Sequence, residues 1–230
     1  GKLPMFTSCC PSWVRFAELF YPQVLENISS AKSPVCMQGA IVKAWVSGKL
    51  DVRPESIVNV AVTPCTSKKY EILKDGMDAA GEYLGIDGMR DMDIAITTRE
   101  LAKWAKEEKI DFESLPEMSF DSLNGTGAAA IFGASGGVAE AALRTAYFYL
   151  NGTNPPEGFF RLNDVRGSES IREAVVDMGA VQLRAAVIYG TKNAGEFIEK
   201  MEKEGARYAF VEVMACPGGC SGGGGQPKGY

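Results

Sequence analysis

Five of the six cysteines lie in three short stretches where regular structure should break: Thr7-Ser8-Cys9-Cys10-Pro11, Thr63-Pro64-Cys65, and Cys216-Pro217-Gly218-Gly219-Cys220, which runs on into the glycines of 222–225. Each of these thiols sits beside a proline, a glycine or another cysteine. Sulfur presented from loops in this way suits a metal centre, whereas a cysteine that merely fills core space sits inside periodic structure. The chain must therefore fold so that loops distant in sequence serve one purpose.

Six cysteines in 230 residues could also form three disulfides. A chain of this length buries roughly 70–75% of its unfolded surface and needs no staple, so thiols kept reduced as metal ligands are the stronger reading. The absence of histidine removes mixed zinc sites, Ser-His and Cys-His nucleophile pairs and the usual proton shuttle. Chemistry here must use sulfur, carboxylate, lysine or hydroxyl groups. A net charge of -5 without a basic run argues against nucleic acid and anionic membrane as partners. No apolar run is long enough for a membrane span, and no charged-then-apolar start resembles a signal peptide, so a cytoplasmic setting is expected.

The pattern reads as α/β. Pro11 opens a helix with Trp13, Val14, Phe16, Ala17, Leu19 and Phe20 as its apolar face, ending at Pro22. A short helix follows from Gln23, and Ser33-Pro34 starts another with Met37, Ala40, Ile41, Ala44 and Trp45 on one side. Ser56 to Val62 reads as a buried parallel strand that delivers Cys65 to its carboxyl end, with Thr66 or Ser67 capping the helix that begins at Lys68. Cys65 and Lys68 then share one side of a helical turn. Asp93 to Thr97 is a strand, Arg99 to Lys109 a helix, and 111–124 a less regular crossing. Residues 125–137 read as an apolar strand running through glycines into a helix from Val138 to Leu150, offering backbone N–H groups to an anion. Ile171–Met178 and Val181–Ile188 read as a hairpin or neighbouring strands joined at Gly179. Thr191 to Glu204 is a helix, and Tyr208 to Val213 a last strand leading to Cys216.

Among the chemical signals, the Cys216–Cys220 spacing is the sharpest, because glycine lets the backbone approach a cluster and turn amides toward sulfur. Adjacent Cys9 and Cys10 can divide labour, one on metal and one facing a substrate. Gly133-Ala134-Ser135-Gly136-Gly137 fits the hydrolase nucleophile elbow, but without histidine no triad can form, and a tight backbone approach is the better reading. No Gly-Lys-Ser/Thr follows it, so it is not a P-loop. Cys36 reads as core.

These motifs resemble a known family. Thr-Ser-Cys-Cys-Pro at 7–11, Pro-Cys-Thr-Ser-Lys-Lys-Tyr-Glu at 64–71 and Met-Ala-Cys-Pro-Gly-Gly-Cys-Ser-Gly-Gly-Gly-Gly-Gln-Pro at 214–227 resemble, in order, the three signatures of the catalytic domain of [FeFe]-hydrogenases. Ser29-Ser30-Ala31-Lys32-Ser33-Pro34, Ile131-Phe132-Gly133 and Val165-Arg166-Gly167 add to the likeness. The resemblance implies a [4Fe-4S] cubane held by Cys10, Cys65, Cys216 and Cys220, with Cys220 bridging to a two-iron subcluster that carries CO, CN and azadithiolate ligands. It implies that Cys9 relays protons to the bridging amine, Lys68 donates to a cyanide, Ser29 lies on the proton path, Met214 lines the pocket, and Ser33 contacts a cyanide. Thr63 stands where many members have methionine, and Val35 where many have glutamine. The implied reaction interconverts protons and electrons with dihydrogen, with a ferredoxin-like donor or partner subunit and with maturation proteins that insert the two-iron unit.

The expected architecture is two lobes, each a small mostly parallel sheet flanked by helices, with the cluster in the cleft between them. Lobe one would span roughly 1–120, lobe two roughly 121–215, and 216–230 would form the cluster loop of a truncated or minimal catalytic domain. Two other readings compete: a non-catalytic iron-sulfur assembly relative, which usually lacks the paired cysteine and the lysine of the second motif, and a sensory hydrogenase with slow turnover.

Overall fold

A computed structural model describes residues 2–119, 126–160 and 170–227. The elements run β1 (Met5–Phe6), α1 (Pro11–Phe20), α2 (Pro34–Ile41), α3 (Ser47–Leu50), β2 (Val60–Thr63), α4 (Lys68–Glu71), α5 (Ala79–Leu84), β3 (Ile94–Thr97), α6 (Thr98–Glu107), α7 (Gly127–Ile131), α8 (Gly137–Asn151), β4 (Ile171–Asp177), β5 (Gln182–Tyr189), α9 (Thr191–Glu204) and β6 (Phe210–Met214). They form two compact units, 1–31 with 125–222 and 32–124 with 223–230.

This division falls differently from the expected boundary near residue 120 and the separate 216–230 loop. The first residues belong with the second half of the chain because β1 hydrogen-bonds to β6 in parallel, pairing Met5 with Phe210 and Phe6 with Val211. The C-terminal glycine run is likewise divided after Gly222.

The first unit is built on a sheet of order β1-β6-β5-β4, parallel except for the β4–β5 hairpin. Gly179 makes the hairpin turn at φ +90, a conformation that glycine adopts without penalty. β5, α9 and β6 form the crossover that parallel strands require. Side chains alternate along β5: Ala186 and Ile188 join Trp13, Ala17, Phe197, Ile198, Val211 and Val213 in one core, while Ala185 and Val187 join Val176, Ala139 and Leu143 in another. Both faces are thus covered, which explains the continuous apolar run at 185–188.

Residues 127–131 form α7, where an apolar strand is expected. Thr126 caps this helix by accepting from the Ala129 amide, and three successive alanines favour the helical state over the extended one.

The second unit holds β2 and β3, parallel and in register from Val60↔Ile94 to Thr63↔Thr97. β2 is shorter than expected, since Pro54 starts a 3-10 turn over Pro54–Ser56. Nor is it buried on both faces: Val60 and Val62 are each about half exposed, at 48% and 49%. The expected apolar side of the 34–50 helix also faces outward, with Trp45 55% exposed. Its inward side is Cys36, Gly39, Lys43 and Ser47. Polar geometry decides this orientation. Lys43 Nζ donates to Arg90 O and to Asp93 Oδ1 at 2.7 and 2.8 Å, and a Cβ on Gly39 would lie 2.4 Å from Asp91 O. Residues 42–46 take a π-helical turn that makes this segment continuous from α2 into α3. α5 has no counterpart in the sequence reading.

The fold class is therefore α/β with two small, mostly parallel sheets flanked by helices. Residues 120–124 of the expected crossing, Gly125 and Val165-Arg166-Gly167 lie outside the described residues.

Candidate metal centre

In the first unit the first and third cysteine stretches meet at the end of β6. Thr7 makes the junction: its amide donates to Val211 O, its carbonyl accepts from the Trp13 indole at 3.0 Å, and its hydroxyl accepts from the Val213 amide at 3.0 Å. Pro11 then begins α1 with Cys10 as the extended residue before it. The Ala215 amide donates to Cys10 Sγ at 3.4 Å, so Cys10 lies against the residue preceding Cys216. Cys10 is buried, while Cys9 and Cys220 are half-buried and pack on the same core. No disulfide joins any of the six cysteines.

The 216–222 loop is fixed through backbone. Gly218 and Gly219 have φ of +74 and +91, and the Gly219 amide closes a turn onto Cys216 O. The Ser135 amide donates to Gly218 O, and the Ser221 amide to Gly133 O, both at 3.0 Å. A Cβ on Gly219 would lie 2.5 Å from Ser135 N, and one on Gly222 would lie 2.2 Å from Pro217 O. Glycine is required at both places because backbone occupies the space. The 133–137 stretch is thus the close backbone approach expected of it. Ser135 is no nucleophile: it is buried, and its hydroxyl and carbonyl accept from Arg172 Nη2 at 3.0 and 3.1 Å.

The start of α8 departs from expectation in an informative way. Its N–H groups do face an anion, and that anion is internal. Glu212 Oε1 accepts from the Gly136 amide at 2.5 Å and Oε2 from the Ala139 amide at 2.8 Å. Burial pushes the Glu212 carboxyl above its ordinary pKa, opposed by the backbone donors at 136, 139 and 138 and by the charge of Arg172.

Met214 is buried at the end of β6, and its carbonyl accepts from the Gly190 amide. Ser29 is half-buried and tied to the N-terminal strand: its amide donates to Phe6 O and its hydroxyl accepts from the Ala31 amide. Ser8 Oγ in turn donates to Ala31 O at 2.6 Å, so the Ser29 segment lies beside the residue that precedes Cys9.

The second unit gathers the other candidates. Thr63 is buried, and its hydroxyl accepts from the Cys65 amide at 3.3 Å. Ser67 precedes α4 with helical dihedrals and makes no side-chain cap, contrary to expectation. Lys68 is buried, where a lone helix lysine is normally solvated. Its ammonium meets Glu71 Oε2 at 2.7 Å, and Ser33 Oγ donates to the same oxygen at 2.9 Å. Glu71 escaped the sequence reading as a site residue, although its i,i+3 spacing from Lys68 on a helix could have marked it. Buried Cys36 donates to the same oxygen at 3.9 Å, and burial and the Glu71 charge push its thiol pKa up, consistent with a core role. Pro64, next to Cys65, accepts from the Gly225 amide at 2.7 Å, while Arg99 holds Gly224 O and Gln226 O.

Among the described residues no group of three or more Cys, Asp or Glu side chains closes around a single ion. A cubane makes a different demand, one thiolate per iron, so its ligands stand further apart than those of one ion. The donor set fits such a cluster: sulfur only, a backbone N–H turned toward Cys10, and glycines where a Cβ would block the loop.

The model of the iron only hydrogenase large subunit, C-terminal domain, matches residues 1–224. The periplasmic [Fe] hydrogenase large subunit of Nitratidesulfovibrio vulgaris is 43% identical over 98% of this chain and 52% of its own length. The NADP-reducing hydrogenase subunit HndD of Solidesulfovibrio fructosivorans is 46% identical over 98% of this chain and 37% of its own length. A cytosolic Fe-S cluster assembly factor NAR1 from Botryotinia fuckeliana is 34% identical over 99% of this chain and 46% of its own length. An apo [FeFe]-hydrogenase variant from Chlamydomonas reinhardtii superposes with TM-score 0.80 and 39% identity over 99% of this chain and 63% of that one. The chain thus spans about half or less of the length of these curated relatives.

Proposed function

Because this chain belongs to the iron-only hydrogenase large-subunit family, we propose that it is a catalytic H-cluster domain that interconverts protons and electrons with dihydrogen. Cys10, Cys65, Cys216 and Cys220 would hold a [4Fe-4S] cluster, and Cys220 would also hold the two-iron subcluster with its CO, CN and azadithiolate ligands. Bound there, the cluster supplies the redox chemistry. The chain supplies position and protons. The glycine turns hold Cys216 and Cys220 by backbone, the Ala215 amide donates to Cys10 sulfur, and Lys68, oriented by Glu71, presents a cation for a cyanide ligand, with Ser33 on the same carboxylate. The Cys9 thiol, a weak and polarisable acid, takes up and releases the proton, with Ser29 further along the route. Met214 and Thr63 shape the surroundings. Electrons come from a ferredoxin-like donor or partner subunit, maturation proteins insert the two-iron unit, and the setting is cytoplasmic, unlike that of the periplasmic relative. Among the described residues no helix is long and apolar enough to cross a membrane.

The observation that carries this reading is Lys68. A lysine kept buried beside the Cys65 loop, with a carboxylate dedicated to holding it, is costly unless its charge is used. The assembly-factor reading has its own support in relatives at 31–34% identity, against 43–46% for the hydrogenases. Infrared spectroscopy of the protein reconstituted with both iron units separates the two. Carbonyl and cyanide stretches are expected, and their absence after reconstitution would favour the assembly reading. Cys9→Ala should keep those stretches and lose most hydrogen evolution; unchanged evolution would remove Cys9 from the proton path.

A further inference from the structure

The third cysteine stretch rests on the turn between α7 and α8, and a single buried carboxylate holds that turn. Glu212 lies between Val211 and Val213 on β6. Those two valines face the core shared with α1 and α9, so the pleat sends Glu212 to the opposite face, against the start of α8. It is fully buried and takes the amides of Gly136 and Ala139, one on each oxygen. Immediately before them, Ser135 N donates to Gly218 O, Gly133 O accepts from Ser221 N, and Gly219 abuts Ser135 with no room for a Cβ. Arg172 grips the same turn through Ser135 O and Oγ. A helix start of this length needs only a solvated cap; a buried acid is an expensive substitute.

We propose that Glu212 is a positioning residue for the metal centre. It fixes the 133–136 turn, and through that turn the 216–222 loop, so that it sets where Cys216 and Cys220 present their sulfur. The inference rests on the reading that this loop holds an iron-sulfur cluster. β6 thereby acts on the loop twice, once by leading directly into it and once through Glu212 and the turn beneath it.

The test uses the full chain reconstituted with iron and sulfide. Glu212→Gln replaces one accepting oxygen with an NH2 group that faces a backbone donor. Loss of one charge-assisted hydrogen bond should speed iron release to a chelator by about tenfold to a hundredfold, and should shift the reduced cluster's electron paramagnetic resonance spectrum and midpoint potential. Val176→Ala opens a cavity in the core beneath α8 without touching the turn, and should lower the melting temperature while leaving spectrum, potential and release rate as in the parent. Equal spectra, potentials and release rates for Glu212→Gln and parent would overturn the inference. So would a Val176→Ala protein that reproduces the Glu212→Gln changes, since general loosening would then account for them. A parent that takes up no iron would sink the cluster reading and the inference with it.

Should Glu212→Gln fail to fold, hydrogen exchange on the unaltered protein decides the matter. The amides of Gly136 and Ala139 should open together with those of Ser135 and Ser221, and cluster loading should slow all four by the same factor. Loading that protects Ser135 and Ser221 but leaves Gly136 and Ala139 unchanged would refute the role of Glu212.

Discussion

The two units hold their candidate residues by different physics. In the first, Cys10, Cys216 and Cys220 are placed by backbone hydrogen bonds and by glycines that leave no space for a side chain. In the second, Lys68 and Ser33 are placed by one buried carboxylate, Glu71. Backbone geometry is indifferent to most side-chain substitutions and intolerant of an added Cβ, whereas a charge lock is lost when either partner goes. Under the proposed roles, thiol ligands need fixed position, which backbone gives to Cys10, Cys216 and Cys220, and a cation directed at a small anionic ligand needs charge and direction, which Glu71 gives to Lys68.

The largest effect is expected where the charge lock is broken from one side. Lys68→Met strands a buried carboxylate and should destabilise the second unit by about 4 kcal/mol in denaturant unfolding. Glu71→Gln in the same chain should recover at least half of that loss. A single Lys68→Met variant that unfolds at the parent's midpoint would show that Glu71 is not held by charge.

Next comes the backbone lock. Gly219→Ala forces a Cβ against Ser135 N at a left-handed φ and should cost about 3 kcal/mol, with loss of iron uptake on reconstitution. Full iron uptake by this variant would mean that the loop relocates freely, and the contrast between the units would fail.

A smaller effect tests local capping. Thr97 and Glu100 close a capping box at the start of α6, and Thr97→Ala should cost about 1 kcal/mol. Lys69 and Thr97 pull the Glu100 carboxyl down to about 2. Because the folded pKa is depressed, this contribution is fully present above the ordinary carboxylate range and is lost as pH falls from there through about 2. Acid titration of α6 helicity should show a Lys69→Ala variant melting at higher pH than the parent.

The smallest effect sharpens the comparison from the other direction. Val60 and Val62 sit on β2 but face outward, so Val60→Thr should change stability by no more than about 0.5 kcal/mol. A loss of 2 kcal/mol or more would show that this face is covered in solution.

The placement of the candidate residues was partly readable from the sequence alone. Cysteines beside proline and glycine announced loops, and those loops lie at the ends of β1, β2 and β6. The α9 helix and the β4–β5 hairpin followed from periodicity and from Gly179. The apolar side of 34–50 is not its inward side, because Lys43 finds buried partners in Arg90 and Asp93, and β2 is not buried on both faces, since Val60 and Val62 stay half exposed. Three alanines at 128–130 read as apolar strand, but capped by Thr126 they formed α7. Glu71 and Glu212 were passed over because a glutamate in sequence looks solvated; only folding shows that it is surrounded by donors.

By itself, then, the sequence determined which groups are on offer: six cysteines without histidine, glycine between and after Cys216 and Cys220, and three motifs in a family's order. Those are properties of residue type and spacing, which the chain carries whether folded or not. Tertiary structure decided that Glu71 and Glu212 are buried among donors and which strand ends share a unit. Lys68 and Glu71 are neighbours on one helical turn, but Ser33 and Glu71 are 38 positions apart and Gly136 and Glu212 are 76, and the cost of burying a charge is settled only by the groups that come to surround it.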